Sequence, residues 1–371
     1  MEEGQQSATT TATTTTVQLE QSLTPAELAY FARHGCLVKR NVLDKQLCAH
    51  ARNRMWAFAP EHGRLQRGNP ASWIGPFPEE DLESHASNRR NDYTWKLRAP
   101  GGEAEILELI PVACRGIAEQ LLGEGKVFPT PVPHDNRSGE KAGDGRRNTR
   151  GIYAQLPRGD EDTDRKPLRE QPGAHFDSNI ADDSMTHNRF MVTGLIDDTP
   201  AACPGFTLWP GSAPRLYALA LQCRMEGIEP DSEEAAARIA ALVEQIVADT
   251  EPVAVHGPAG TIVLWHRATL HSVGANYSDT IRQAIIYDFP AATAAPILLD
   301  EDGETTNVPD DDDALEKGGD GQAGPAWMAK WSEACIAAAG GSAEEDDEFN
   351  VEFMANSARL YDEAAGLSAK L

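Results

Sequence analysis

Positive charge is scarce in this sequence. Lys and Arg number 33 against 58 Asp and Glu, which leaves a net charge of −25 over 371 residues. Nucleic acid and anionic membrane surfaces are themselves negative, so neither is expected as a main partner. Long apolar runs are also missing, and nothing approaches the ~18 residues of a membrane-spanning helix. The six cysteines (Cys36, Cys48, Cys114, Cys203, Cys223, Cys335) form no C-x-x-C pair. They read as reduced, mostly buried thiols of an intracellular protein, not as a disulfide framework or zinc site. The sequons at Asn136 and Asn276 carry little weight in that setting. Residues 1–16 have neither a basic start nor an apolar core, so they are not expected to act as a secretory signal. No internal repeat is visible.

What is present suffices for a large core, with 40% hydrophobic residues. Residues 1–22 are Thr-, Ala- and Gln-rich and read as a disordered leader. Order is expected from Leu23, where Thr24, Pro25 and Glu27 spell a capped helix start and Gly35 a stop. A short strand at 36–38 and a helix at 44–56 should follow. Residues 60–102 read as long surface loops, 103–122 as one helix, and 137–169 as the only locally basic stretch. Short, β-branched segments at 151–156, 174–178, 189–196, 205–209, 260–270 and 282–289 read as strands. A helix over 231–248 interrupts them. Short strands with tight turns imply a β-sandwich or barrel. The domain is placed at 23–299, followed by an acidic extension over 300–371 that holds 19 acidic and 4 basic residues. Within that extension, 327–339 and 349–367 have the pattern of amphipathic helices.

The chemistry concentrates in two segments. In Pro172-Gly-Ala-His175-Phe-Asp177, residues two apart share a strand face, so an imidazole and a carboxylate stand together. Such a donor pair suits a divalent first-row metal such as Fe(II). Alone, H-x-D is a weak signal, and a surface pair is the bland alternative. The second segment runs from Gly260 to Arg282, where a strand expected to end at His271, a polar turn and a strand beginning at Arg282 would form a hairpin. His271 then supplies a third ligand, and Arg282 offers a planar fork for the far end of a dicarboxylate. His266 competes with His271, but its odd offset places it on the opposite strand face, as a core or pocket residue.

These residues carry a resemblance to the phytanoyl-CoA dioxygenase family of Fe(II)/2-oxoglutarate oxygenases. It spans Leu23-Thr-Pro to about Phe289 and includes His175/Asp177, the stretch Gly205-Phe-Thr-Leu-Trp-Pro-Gly-Ser212, and His271 with Arg282 eleven residues later. The resemblance implies a mainly β, cupin-like double-stranded β-helix (jelly roll) core with flanking helices. It implies iron held by His175, Asp177 and His271, with 2-oxoglutarate anchored by Arg282. Gln155 and Thr193 fall at positions that touch the co-substrate in relatives, although relatives there sometimes carry Lys and Trp. Ala213 replaces a His common after Pro-Gly-Ser, a position read as structural. Retention of Asp177 implies hydroxylation or another oxidation and not halogenation. O2 completes the co-substrate set, with ascorbate as a candidate reductant.

The substrate class stays open between a small molecule and an acyl-CoA. The cations Arg137, Lys141, Arg146, Arg147 and Arg150 are the local supply for CoA phosphates, while a solvated loop is the bland alternative. Arg89, Arg90, Trp95 and Lys96 form a second candidate pocket wall. Trp209, Trp265 and Phe176 would flank the metal or simply fill the core. Ala369-Lys370-Leu371 resembles the C-terminal peroxisomal address, meaningful only in a eukaryote; otherwise a cytoplasmic protein is expected. Two rivals remain: a cupin-like metal protein (isomerase, lyase or binding module) and an acidic scaffold acting through its tail.

Overall fold

The computed structural model describes residues 21–85, 88–98, 100, 103–125, 127, 151–171, 173–177, 189–290 and 348–367. Most of the leader, the cations from Arg137 to Arg150, the segment 327–339 and the terminal Ala369-Lys370-Leu371 lie outside the described residues.

In chain order the strands are β1 (Cys36–Lys39), β2 (Glu83–Ser84), β3 (Asn88–Asn91), β4 (Thr94–Leu97), β5 (Gly151–Gln155), β6 (Arg189–Leu195), β7 (Phe206–Leu208), β8 (Val253–Val255), β9 (Ile262–His266), β10 (His271–Ser272) and β11 (Arg282–Pro290). Eight form one sheet in the order β1-β9-β6-β11-β5-β4-β3-β2, and three form a second in the order β10-β7-β8. Every pairing is antiparallel. The sheets face each other, with Phe206 of β7 set 4.9 Å from Trp265 of β9. This is the expected mainly β architecture, a jelly-roll double-stranded β-helix with helices outside.

Local sequence starts and stops the flanking helices. In α1 (Pro25–His34) the Thr24 hydroxyl accepts from Glu27 N at 3.1 Å, while the Glu27 carboxylate accepts from Thr24 N at 2.8 Å. Gly35, at φ +70°, ends the helix in a conformation that costs glycine little. Asp44 caps α2 (Lys45–Trp56), and Ser232 caps α6 (Glu233–Asp249). α1 and α2 cover the outer face of the large sheet. Phe31 meets Phe190 edge-on at 6.5 Å, and Trp56 meets Trp95 at 6.5 Å. Strand alternation then turns Thr94 and Lys96 of β4 inward, opposite the outward Trp95 and Leu97.

Several expectations need correction. Residues 60–102 are not all loop, because β2, β3 and β4 extend the large sheet there. The single helix over 103–122 is three pieces: α3 (Ala104–Leu107), a π-turn at Glu108–Val112 and α4 (Arg115–Leu122). Pro111 lies in the π-turn, and a ring without an N–H cannot continue the ordinary ladder. Segment 174–178 is only a bridge at His175. The strand expected over 260–270 breaks after His266, where Thr269 N bonds back to His266 O at 2.8 Å. The chain then enters the other sheet as β10, so His271 and Arg282 approach across two sheets and not along a hairpin. Two further elements were unforeseen, β8 and α5 (Ser212–Met225). Pro214 lies in the first turn of α5, where proline is tolerated.

Candidate metal centre

The H-x-D segment and β10 are laced together by backbone. His175 N donates to His271 O, and His271 N donates to His175 O, both at 2.8 Å. Asp177 N donates to Arg267 O at 3.0 Å, and Arg267 Nη2 returns a bond to Asp177 O at 2.9 Å. These ties bring one ligand atom each from His175, Asp177 and His271 within 4.8 Å of one another. Nε2 of His175 and Nε2 of His271 each lie 3.9 Å from an Asp177 carboxylate oxygen, on different oxygens.

Both imidazoles are aimed by a second bond. His175 Nδ1 sits 2.7 Å from Gly173 O, and His271 Nδ1 sits 2.9 Å from Thr269 O. A carbonyl only accepts, so Nδ1 carries the proton and Nε2 presents its lone pair to the cluster. Burial pushes the His271 pKa down to about 4, against the attraction of Asp177, so the ring is neutral and able to ligate at pH 7. Its faces are packed by Trp265 at 4.5 Å and Phe206 at 5.1 Å.

The cluster opens on a cavity of about 410 Å³ between the sheets. Arg282 lies in its wall, 3% exposed, and its Nε and Nη2 have no hydrogen-bond partner among the described residues. Burial pulls its pKa down to about 10, so it stays charged at neutral pH. A buried, cationic, unsatisfied fork is costly unless an anion completes it. Gln155 stands opposite Arg282 on β5, its amide nitrogen donating to Gly274 O at 2.9 Å and its amide oxygen without a partner among the described residues. Two imidazole nitrogens and a carboxylate, with a fork for a distal carboxylate on the same cavity, fit ferrous iron and a keto dicarboxylate.

Other anticipated residues fall differently. Thr193 is on the inner face of β6 but not on the cavity wall; its hydroxyl accepts from Trp265 Nε1 at 3.0 Å. His266 faces out of the large sheet and is buried, so it stays outside the centre because it belongs to another sheet. Trp209 and Phe176 pack with Leu216 and Leu270 in a second core beneath α5 and α6, leaving Trp265 as the cavity's tryptophan among the three. Ala213 lies against Gly35, where a Cβ would come within 3.0 Å. Lys96 lines the cavity while Arg90 and Trp95 do not. Its ammonium sits 5.5 Å from the Tyr153 ring centroid, with its pKa lowered by burial and nearby arginines. Tyr153, Arg267 and Asp288 were not anticipated. Tyr153 and Asp288 were within reach of the alternation rule, two residues before Gln155 and six after Arg282, whereas Arg267 is in a turn hidden inside an apolar run.

No family model and no curated protein matches the chain. Among solved structures it is similar to EctD from S. alaskensis in its apoform, at 14% identity and TM-score 0.39 over 74% of this chain and 79% of that one. It is similar to SnoN, a non-heme α-ketoglutarate-dependent epimerase of nogalamycin biosynthesis, at 15% identity and TM-score 0.36 over 71% and 80%. AviO1 from Streptomyces viridochromogenes is similar at 15% identity and TM-score 0.37 over 73% and 96%.

Proposed function

We propose that the protein is an Fe(II)/2-oxoglutarate-dependent dioxygenase of the phytanoyl-CoA dioxygenase type, which oxidises a C–H bond of a small organic or acyl substrate. His175, Asp177 and His271 would hold the iron, leaving positions open for co-substrate and O2. Arg282 would grip the distal carboxylate of 2-oxoglutarate, with Gln155 beside it. When bound, iron and 2-oxoglutarate supply an oxidant from O2 as the co-substrate becomes succinate and CO2.

The chain's own residues bind, aim and exclude water. Gly173 and Thr269 carbonyls hold the two imidazoles in ligating tautomers, and Arg267 pins the Asp177 backbone. Trp265 and Phe206 keep water from the buried face of His271. Substrate would occupy the cavity that Lys96, Tyr153 and Ile286 line, and a retained Asp177 favours hydroxylation or another oxidation over halogenation.

The observation that carries this reading is the unpartnered Arg282 fork on the same cavity as the His-Asp-His cluster. A cupin-like metal protein without a co-substrate has no need of it. The test is anaerobic reconstitution with Fe(II), then 2-oxoglutarate titration and, with O2 and ascorbate, a succinate assay over small metabolites and acyl-CoAs. Arg282→Ala should keep Fe(II) binding but weaken 2-oxoglutarate affinity roughly 10–1000-fold, the ~1.5–4 kcal/mol of a lost buried charge pair. Unchanged 2-oxoglutarate affinity in Arg282→Ala would refute the clamp. No succinate with any substrate from iron-loaded protein would refute the oxygenase.

A further inference from the structure

The last described helix, α7 (Glu348–Ala364), comes from the acidic tail, yet its contacts converge on the loops that carry the metal-centre residues. Tyr361 is fully buried. Its hydroxyl accepts from Gln171 Nε2 at 2.6 Å and donates to Ala275 O at 3.0 Å. Gln171 Oε1 in turn accepts from Ala275 N at 2.7 Å, closing a three-membered polar ring. Gln171 lies four residues before His175, and Ala275 four residues after His271. One phenol therefore joins the two strands of chain that must meet for the cluster to exist. Burial raises the Tyr361 pKa, so the hydroxyl remains a donor throughout the working pH range.

The surroundings leave this ring little freedom. A Cβ on Gly274 would lie 2.5 Å from Pro204 and 3.0 Å from Gln171 Oε1. Gly274 O also receives Gln155, which faces Arg282, so the same loop reaches the co-substrate wall. The neighbouring Asp362 carboxylate accepts from Leu168 N at 3.2 Å, holding the chain that leads into Gln171.

We propose that Tyr361 of α7 is a positioning residue for the metal centre, holding the His175/Asp177 loop and the His271 loop in register through Gln171 and Ala275. This rests on the reading of His175, Asp177 and His271 as metal ligands. The acidic tail thereby completes the centre without contributing a ligand.

The test is Fe(II) affinity of the full-length protein, measured anaerobically without co-substrate. Tyr361→Phe removes only the oxygen and should weaken Fe(II) binding about tenfold, the low end for outer supports of a metal site. Gln171→Leu breaks the same ring from its other side and should weaken binding similarly, and the double variant should lose no more than the worse single. Ser357→Ala, on the same helix as Tyr361, removes the bond from Ala254 N of β8 and should lower the thermal midpoint and leave Fe(II) affinity unchanged. Unchanged Fe(II) affinity in both ring variants, additive losses in the double variant, or an equal loss in Ser357→Ala would each overturn the proposal. Fe(II) binding that persists in His175→Ala would instead overturn the metal centre itself.

Discussion

At the scale of single residues, the hydroxyl of Thr193 settles how Trp265 stands against the metal centre. The indole lies 4.5 Å from the His271 ring and is buried, so its N–H must find an acceptor within the protein. Thr193 Oγ1 provides it at 3.0 Å. Thr193→Val keeps the shape and removes the acceptor, and should cost about 1–3 kcal/mol in urea unfolding, the price of an orphaned buried donor. A variant as stable as the parent would mean the indole finds another acceptor. Arg282 illustrates the opposite case: its Nε and Nη2 are buried with no partner among the described residues, a cost that a bound anion would offset.

At the scale of elements, β4 links core and cavity in four residues. Trp95 and Leu97 enter the outer core against Trp56 and Phe77, while Thr94 and Lys96 face the cavity. Trp95→Ala should cost about 3–5 kcal/mol, as for a fully buried aromatic, and should be read in thermal or chemical unfolding. A loss below ~1 kcal/mol would mean that the strand is not anchored by this side chain. β4 also marks where sequence reasoning fails. Asn88-Arg-Arg-Asn and Thr-Trp-Lys-Leu hold so few apolar residues that they read as loop; in β4 this is because Thr94 and Lys96 face the cavity and not a core. By contrast, α1 and α6 were legible because capping is local: Thr24, Glu27 and Ser232 need only neighbours within three residues. His175, Asp177, His271 and Arg282 were legible as a set through their chemistry. The route that joins His271 to Arg282 was not, since nothing in Trp-His-Arg-Ala announces a turn between two sheets. His266 shows the same limit, because the odd-offset argument excluded it for a reason the sheet change replaces.

At the scale of the molecule, the tail closes both sheets. β1 is the last strand of the large sheet, with β9 on one side only. On its open side, Asn350 Oδ1 accepts from Val38 N at 2.7 Å and Asn350 Nδ2 donates to Val38 O at 3.0 Å, the pair of bonds a further strand would make. β8 is the last strand of the small sheet, and Ser357 Oγ accepts from Ala254 N there at 3.3 Å. Phe353 packs 5.0 Å from the His256 ring between these two points, and Tyr361 reaches the ligand loops beyond them. An exposed edge strand is a template for another chain, and a helix laid across it removes the template. A chain ending at residue 347 would therefore do more than lose acidic charge. It should unfold at lower temperature and self-associate with rising concentration, seen by sedimentation or light scattering, while Asn350→Ala shows the same tendency more weakly. A detachable acidic scaffold predicts the reverse: a shortened chain that keeps the full chain's association state and thermal midpoint and binds Fe(II) as the full chain does.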